Sequence, residues 1–522
     1  MKKILLSSII LLTSLCGCHY LDDYSQDLVV VKSVSDLDEL LLGDVYMPSL
    51  TKVAELAFGD PGWFLLTLDD DINTVVYEER QATSTSYHMG ESAGLLNTTY
   101  FGYTAWQMEV GRPHDGGNLN GDERLWNDFY SRINICNIIL DEVEKLPVEL
   151  DSERLAALRV RGEAHFLRAY FYFILNNVYG DMYDPEKASA TLGVPLKLTA
   201  YVEHDKNKTS QFDRATLDKA YAQIIADLQT SINYFNQSPQ THSYYRASGQ
   251  AARLLLSRVY LYMQEWDKAR TVLTELLNQR PQLLSYTSLV AGNDNVITRN
   301  NREILFSQGS LNVQNSVDGL IGDFCVSEEL YNLYEEDDTR KALFFTRKFS
   351  TDALAIKGKY QQSIHQSYVS DLHMLRTSEA YLNMAEACVM AGDPTEAHRW
   401  LNDFRRYRIT NYQDKTYDTE TLVEEIRNER RKEFCIEGGH RWFDLRRYAV
   451  NKQYPYSKEL ERVFAYYNGQ TQLIHTEIFR LEENSPAYTF LIPRKVLEFD
   501  TGMPDNTPRP SRAAAEIINP TN

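Results

Sequence analysis

The run AARLLLSRVYLYMQEWDKARTVLTEL, residues 251–276, decides the fold class. Ala251, Ala252, Leu255, Val259 and Tyr260 recur at three- and four-residue spacing, which places them on one face of a helix. A turn at Gln264 leads into Trp266-Asp267-Lys268-Ala269, and Leu273 and Leu276 give the returning helix its own apolar face. Alanine carries nothing beyond Cβ, so two helices can approach closely where alanines meet. The spacing therefore predicts an antiparallel helical pair.

The same arrangement recurs downstream as Ala380, Tyr381, Ala385 and Ala387, then Gly392-Asp393, then Ala397 and Leu401. Both stretches resemble tetratricopeptide (TPR) units, in which small residues line the helix crossing and a bulky residue marks the turn. Upstream, Leu125, Trp126, Phe129, Tyr130, Ile133, Cys136, Leu140 and Val143 continue the helical spacing until Pro147 stops it. A second run follows Ser152 to Tyr179 and ends at Gly180, and a third occupies about 216–235. The chain reads as mostly α, a short helical solenoid, and such scaffolds bind more often than they catalyse. Ser35 is placed to cap a short helix through Leu42. From Phe58 to about Gly121 the chain is rich in Gly, Thr, Ser, Asn and aromatics without sustained helical spacing. That segment predicts a loop-rich lobe with short strands, where binding function tends to reside.

The ends fix the expected compartment. Lys2 and Lys3 precede the apolar run Ile4–Leu12, far short of the roughly 20 residues that cross a bilayer, so residues 1–17 read as a secretory signal. Leu15-Cys16-Gly17-Cys18 resembles a lipoprotein cleavage box with Cys18 as the acylated residue, and His19-Tyr20-Leu21-Asp22-Asp23 resembles a surface-export signal. Losing residues 1–17 takes the formal charge from −19 to −21, since only Lys2 and Lys3 leave as charges. Nucleic acid is not expected as a partner, because phosphate neutralisation needs clustered Lys and Arg. Cys136, Cys325, Cys388 and Cys435 form no C-x-x-C pair and read as small buried hydrophobes, with a disulfide left open; no zinc site is expected.

Three blocks carry a family resemblance. The first is Arg161-Gly162-Glu163-Ala164-His165-Phe166-Leu167-Arg168-Ala169-Tyr170-Phe171-Tyr172 with Val178-Tyr179-Gly180-Asp181. The second is Arg376, Glu379, Ala380, Tyr381, Leu382, Ala385, Glu386 and Ala387, with Leu401-Asn402 and Arg405. The third runs Glu429-Arg430-Arg431, Glu433, Glu437-Gly438, then His440 to Arg447, and Phe490-Leu491-Ile492-Pro493 adds a C-terminal echo. Together they resemble the SusD/RagB family of outer-membrane proteins over nearly the whole chain. Gly438-Gly439 lengthens one block by a residue, and Met503-Pro504-Asp505-Asn506 departs from the usual ending. The resemblance implies a SusD-like, TPR-based scaffold with an irregular lobe. It further implies a lipid-anchored protein facing the cell exterior, which captures glycans or, in some members, peptides, together with a SusC-like TonB-dependent transporter.

On this reading the organisation is a signal peptide 1–17, a lipidated tether 18–34, an N-terminal region 35–300 holding the loop-rich insert 58–121, and a C-terminal region 301–522. Ligand contact is expected from Tyr77, Arg80, Tyr87, Asn97, Tyr100, Tyr103 and Trp106, because sugar C–H groups pack flat on aromatic faces while amides and charges bind hydroxyls. A second contribution is expected near Asn312–Phe324. No cofactor and no catalytic residue is expected. Gly90-Glu91-Ser92-Ala93-Gly94 matches the nucleophile elbow of esterases, but polar residues precede it, and Asn97 and Gly102 interrupt the stretch where the elbow's helix would have to run. His114-Asp115-Gly116-Gly117 falls on the wrong side of the serine for an oxyanion loop. Surface esterase chemistry through Ser92 is the enzymatic alternative. Asp69, Asp71 and Asn73 imitate a calcium loop, yet Thr74 replaces its glycine and Arg80 its bidentate glutamate, so an EF-hand is rejected and no metal site is expected. Glu433, Glu437, Arg441, Asp444 and Arg446 are expected to pair and tie the last helices to the scaffold, since buried charge requires a partner.

Overall fold

The computed structural model describes residues 31–48, 60–76, 99–201, 205–240, 244–311, 324–348, 352–360, 369–468, 472–509 and 511–520. The helices are α1 (Val34–Leu40), α2 (Thr99–Thr104), α3 (Arg124–Glu142), α4 (Asp151–Tyr179), α5 (Leu217–Gln237), α6 (Gly249–Tyr262) and α7 (Trp266–Gln279). After them come α8 (Glu328–Asn332), α9 (Thr339–Phe344), α10 (Thr377–Met390), α11 (Pro394–Arg405), α12 (Thr419–Phe434), α13 (His440–Ala449) and α14 (Arg494–Phe499). The expected helical pairs form, and the fold is mostly α, as the sequence implied.

Each long helix packs on its neighbour in chain order, α3 on α4, then α5, α6 and α7; α7 meets α10, and α11, α12 and α13 continue the stack. The α6–α7 turn lies at Gln264, in left-handed conformation at φ +61°. Asp393 caps α11 by accepting from the Glu396 amide, with Pro394 at the first turn, a position where the missing N–H costs nothing. Arg270 of α7 reaches that cap at 3.0 Å, joining the two TPR-like units. Ala251, Ala252, Ala380, Ala385 and Ala387 are fully buried at the crossings.

One detail of the N-terminal helix differs from expectation. Ser33, not Ser35, caps α1: its hydroxyl accepts from the Asp36 amide, and the Asp36 carboxylate accepts from the Ser33 amide, a reciprocal capping box that starts the helix at Val34, while Asp38, the acid three residues after Ser35, pairs with Arg246.

Between α7 and α10 the chain leaves the solenoid and builds a second hydrophobic core. Strands β1 (Ile72–Thr74), β2 (Leu192–Pro195), β3 (Arg214–Thr216), β4 (Ile304–Gln308), β5 (Phe324–Val326), β6 (Phe345–Arg347), β7 (Leu354–Ile356) and β8 (His373–Arg376) are short. Antiparallel β4 and β8 lie side by side, so the chain enters and leaves this lobe at one place. β1 pairs with β5, and the hairpin of β9 (Leu460–Asn468) and β10 (Gln472–Leu481) carries β11 (Glu516–Ile518) on its edge. The lobe's core thus draws on four separated stretches: Ile72 and Phe101 first, then Tyr286 to Met374, then Cys435 and Ile436, and finally Phe464 and Phe479.

Buried ion pairs join lobe and solenoid. Glu433 accepts from Arg376, Arg408 and Arg340; Glu437 pairs with Arg376 and Lys359; Asp444 pairs with Arg430 and Arg447. Arg441 pairs with Asp70. Burial would raise the Glu433 carboxyl, but Arg408, Arg376 and Arg340 hold it well below the usual carboxylate range. Arg446 departs from expectation. It is buried but meets no carboxylate at ion-pair distance among the described residues: Nη2 donates to the Gly180 carbonyl at 2.7 Å and to the Thr489 hydroxyl at 3.2 Å, so it seals the end of α4 instead. Gly438 and Gly439 both take positive φ, +58° and +65°, which makes the left-handed turn that swings α13 back onto α12.

Candidate functional site

The best-formed aromatic feature at the boundary between lobe and solenoid begins at Pro61-Gly62-Trp63-Phe64. Gly62 takes φ +87°, and the Leu65 amide donates to its carbonyl, closing a 3₁₀ turn over Trp63–Leu66. The turn buries Phe64, Leu65 and Leu66 and leaves Trp63 half-buried. α2 then lays Tyr100 against Trp63, with ring centroids 4.3 Å apart and planes inclined at 56°. Behind this pair Tyr103 stacks on Phe64 at 4.4 Å, and Phe64 on Phe490 at 5.3 Å. Tyr100 also meets Phe324, the first residue of β5, at 6.0 Å. Two half-buried rings are therefore held over a buried aromatic stack, an arrangement that offers an apolar face with little left to order on binding.

The support is electrostatic. Asp70 receives Arg441 through Nε at 2.7 Å and Nη2 at 2.9 Å, and Lys458 at 2.8 Å. Asp71 receives Nε of Arg431 at 2.7 Å, and Asp69 receives the Asp71 amide at 3.0 Å. Burial acts to raise Asp70, but Arg431 and Arg441 outweigh it and hold the carboxyl well below its ordinary range. Asp69 goes the other way: burial pushes it well up, and the neighbouring Asp71 and Asp70 add to the rise. These three residues offer oxygens within 4.8 Å of one another. With two guanidiniums and an ammonium already on them, the cluster clamps β1 to α12 and α13. It is not the pair of carboxyls facing each other across a cleft that glycoside hydrolysis uses.

Comparison with known proteins agrees with this architecture. A family model described as starch-binding associating with outer membrane matches residues 69–261, and the SusD family model matches residues 337–507. The chain belongs to the SusD/RagB family. A SusD-like protein of Bacteroides ovatus is 25% identical over 383 residues, which cover 63% of this chain and 65% of that protein, just under two thirds of its length. SusD-like protein P38 of Formosa agariphila is 23% identical over 401 residues, covering 61% of this chain and 71% of the relative. Among solved structures, a SusD-like carbohydrate binding protein from Bacteroides vulgatus superposes with a TM-score of 0.63 at 19% identity, covering 90% of this chain and 97% of that one. A SusD superfamily protein from Bacteroides thetaiotaomicron gives 0.64 at 20% identity, covering 91% and 100%. At such identities these structural likenesses speak to the fold.

Within this SusD/RagB-family chain, Tyr100 sits in the half-buried pair. Tyr103 is 3% exposed, and Trp106 is 1% exposed, its indole N–H donating to the Leu68 carbonyl at 2.9 Å. Arg462 lies 5.6 Å from the Trp106 ring centroid, so that indole is sandwiched in the protein and presents no face to solvent. Tyr77, Arg80, Tyr87 and Asn97 lie outside the described residues, as do Ser92, Cys18 and residues 312–323. Trp63 was not among the residues the sequence singled out. The signal for it was Pro-Gly directly before an aromatic, a turn that places the next side chain at an edge. His114 is tied to the β9–β10 hairpin, its Nε2 2.8 Å from the Tyr466 hydroxyl and its ring edge-on to Phe101.

Proposed function

We propose that this chain is a surface-exposed, lipid-anchored glycan-binding protein that captures an oligosaccharide and passes it to a SusC-like TonB-dependent transporter, breaking no bond itself. The observation that carries the reading is the Trp63–Tyr100 pair, two half-buried rings 4.3 Å apart on a rigid aromatic base. Sugar rings stack on such faces, and a pre-positioned pair spends little entropy in doing so.

Chain topology supports the same place. Residues 77–98 follow β1 and residues 312–323 precede β5; the ends from which they depart are paired, Thr74 opposite Phe324, with Tyr100 against Phe324. Tyr77, Arg80, Tyr87 and Asn97 are proposed as further ligand contacts from the first of these stretches. The description of the matching family model, starch-binding associating with outer membrane, and the carbohydrate-binding name of a structural neighbour point to the same ligand class. Cys18 is the proposed anchor. No helix among the described residues is long and apolar enough to cross a membrane, and several acyl chains on one cysteine would supply stable attachment.

The test is affinity electrophoresis of the full chain against a panel of neutral polysaccharides, with a peptide panel beside it. Retardation by a glycan that is lost in Trp63→Ala and Tyr100→Ala supports the reading. Binding of peptides alone, or release of product from ester or glycan substrates that Ser92→Ala abolishes, overturns it.

A further inference from the structure

The chain carries a formal charge of −19, yet one cleft reverses that sign. It is about 570 Å³ in volume and opens where the start of α6, the end of α7 and the turn before β4 meet. Arg246, Arg280, Arg299 and Arg302 line it, and among the described residues of its wall there is no aspartate or glutamate. Arg246 is compensated by Asp38 and Glu163. Among the described residues the Arg280 side chain makes one hydrogen bond, from Nη2 to the Arg302 carbonyl at 3.0 Å, and neither it nor Arg302, whose side chain is exposed, joins an ion pair. The acids nearest these two arginines in sequence are used elsewhere: Glu303 turns inward to the Leu284 amide and Arg408, and Glu275 pairs with Arg253.

Two independent features add to the charge. The positive end of the 14-residue helix α6 faces the cleft, where its capping Ser248 and Gln250 form part of the wall. Tyr244, also in the wall, packs on Tyr245 with centroids 4.3 Å apart, and the Ser307 amide holds the Tyr244 carbonyl at 2.9 Å, fixing the pair to β4. Tyr245 is 43% exposed. The cleft thus combines accessible guanidiniums, an aromatic surface, and the amides of Gln250, Gln282 and Asn300, within the range of about 300–1,000 Å³ common for small-molecule sites.

We propose that this cleft is a subsite for an acidic saccharide, seating a carboxylate- or sulfate-bearing sugar with its anionic group on Arg280 and Arg302 and its ring beside Tyr244. The inference rests on the glycan-binding reading above and adds the charge class of the ligand. A guanidinium fork matches the oxygens of either group, while the amides suit hydroxyls.

Isothermal titration of the full chain in detergent tests it, with oligogalacturonate, a sulfated oligosaccharide, a neutral oligosaccharide of equal length and inorganic sulfate as titrants. The expected result is tighter binding of an acidic oligosaccharide than of its neutral counterpart, weakened by added salt and at least roughly tenfold weaker in the Arg280→Ala/Arg302→Ala double variant, the scale of losing charge-assisted hydrogen bonds. Arg302→Lys should recover part of the loss. Equal affinity for acidic and neutral sugars overturns the proposal, as does acidic-sugar binding that survives the double variant and disappears in Trp63→Ala. A double variant that loses only adsorption to anionic phospholipid vesicles also overturns it. Silence of every saccharide, neutral and acidic, sinks the glycan reading as well, so the two failures are distinguishable.

Discussion

Nε of Arg431 donates to Oδ1 of Asp71 across 2.7 Å, joining residues 360 positions apart in the chain, both buried. Through this bond α12, part of the solenoid, holds β1, the strand that anchors the Trp63–Tyr100 platform. Removing Arg431 leaves Asp71 and Asp70 short of a cation in a dry environment. Arg431→Ala should cost about 3–5 kcal/mol, the scale of breaking a buried pair by removing one partner. Denaturant titration at neutral pH reads it; a loss below about 1 kcal/mol would mean that the pair is solvated, as surface pairs are.

Half-buried and fully buried rings should separate binding from stability. Trp63→Ala and Tyr100→Ala are expected to lower glycan affinity while shifting the melting temperature little. Trp106→Ala empties a fully buried site and should cost about 3–5 kcal/mol of stability. Paired calorimetric melts and affinity gels check the contrast, which fails if all three variants lose stability alike.

Two buried histidines make the fold acid-sensitive early. His373 is held neutral, pushed down to about 3 mainly by burial, with Nδ1 3.0 Å from the Tyr170 hydroxyl and Nε2 3.2 Å from the Pro61 carbonyl. Burial also depresses His440 well below its ordinary value, with Arg258 and Arg430 adding to it. Below the ordinary imidazole value of 6.5 the unfolded chain takes up protons that the native state refuses. Stability is therefore complete above that pH and declines as pH falls through the window toward 3, at up to about 1.4 kcal/mol per pH unit for each group. Glu433, Glu437 and Asp444, all depressed in the fold, add a second loss once pH drops below the unfolded carboxylate range. His373→Gln should flatten the dependence of stability on pH between 6.5 and 5 by roughly half; an unchanged slope would show that His373 titrates normally in the native state.

The four described cysteines are unpaired, and burial raises each thiol: Cys136 to about 12, and Cys325, Cys388 and Cys435 to about 11. Thiolate is the reactive form, so the native chain should resist alkylation at pH 7.5 and label fully in denaturant. Mass spectrometry after a short iodoacetamide pulse checks this, and rapid labelling of Cys435 would show that the turn before α13 opens on its own.

The helical pairs were legible because their signal is local. Alanine and leucine spacing over 251–276 and 380–401 reports one apolar face every three or four residues, and a helix satisfies its own backbone within that span. The family blocks were legible for a related reason: Glu433, Glu437 and Arg441 lie in one continuous run, although their partners Arg376, Lys359 and Asp70 do not.

What only the tertiary structure decided involves pairs without a local signature. Phe64, Tyr103 and Phe490 form one aromatic stack from three distant segments, and this stack buries Tyr103 while leaving Trp63 beside Tyr100 at the edge. In sequence Arg446 looked like its charged neighbours, yet in the fold it closes on the Gly180 carbonyl, because the end of α4 reaches it and no described carboxylate comes within ion-pair distance. The cationic cleft gathers Arg246, Arg280, Arg299 and Arg302 from three places in an otherwise acidic chain, the start of α6, the end of α7 and the turn before β4. The residue order specified the helices and their apolar faces; which rings and charges meet depended on the long-range closure of the chain around two cores, since contact energies depend on distance in space and not on separation in sequence.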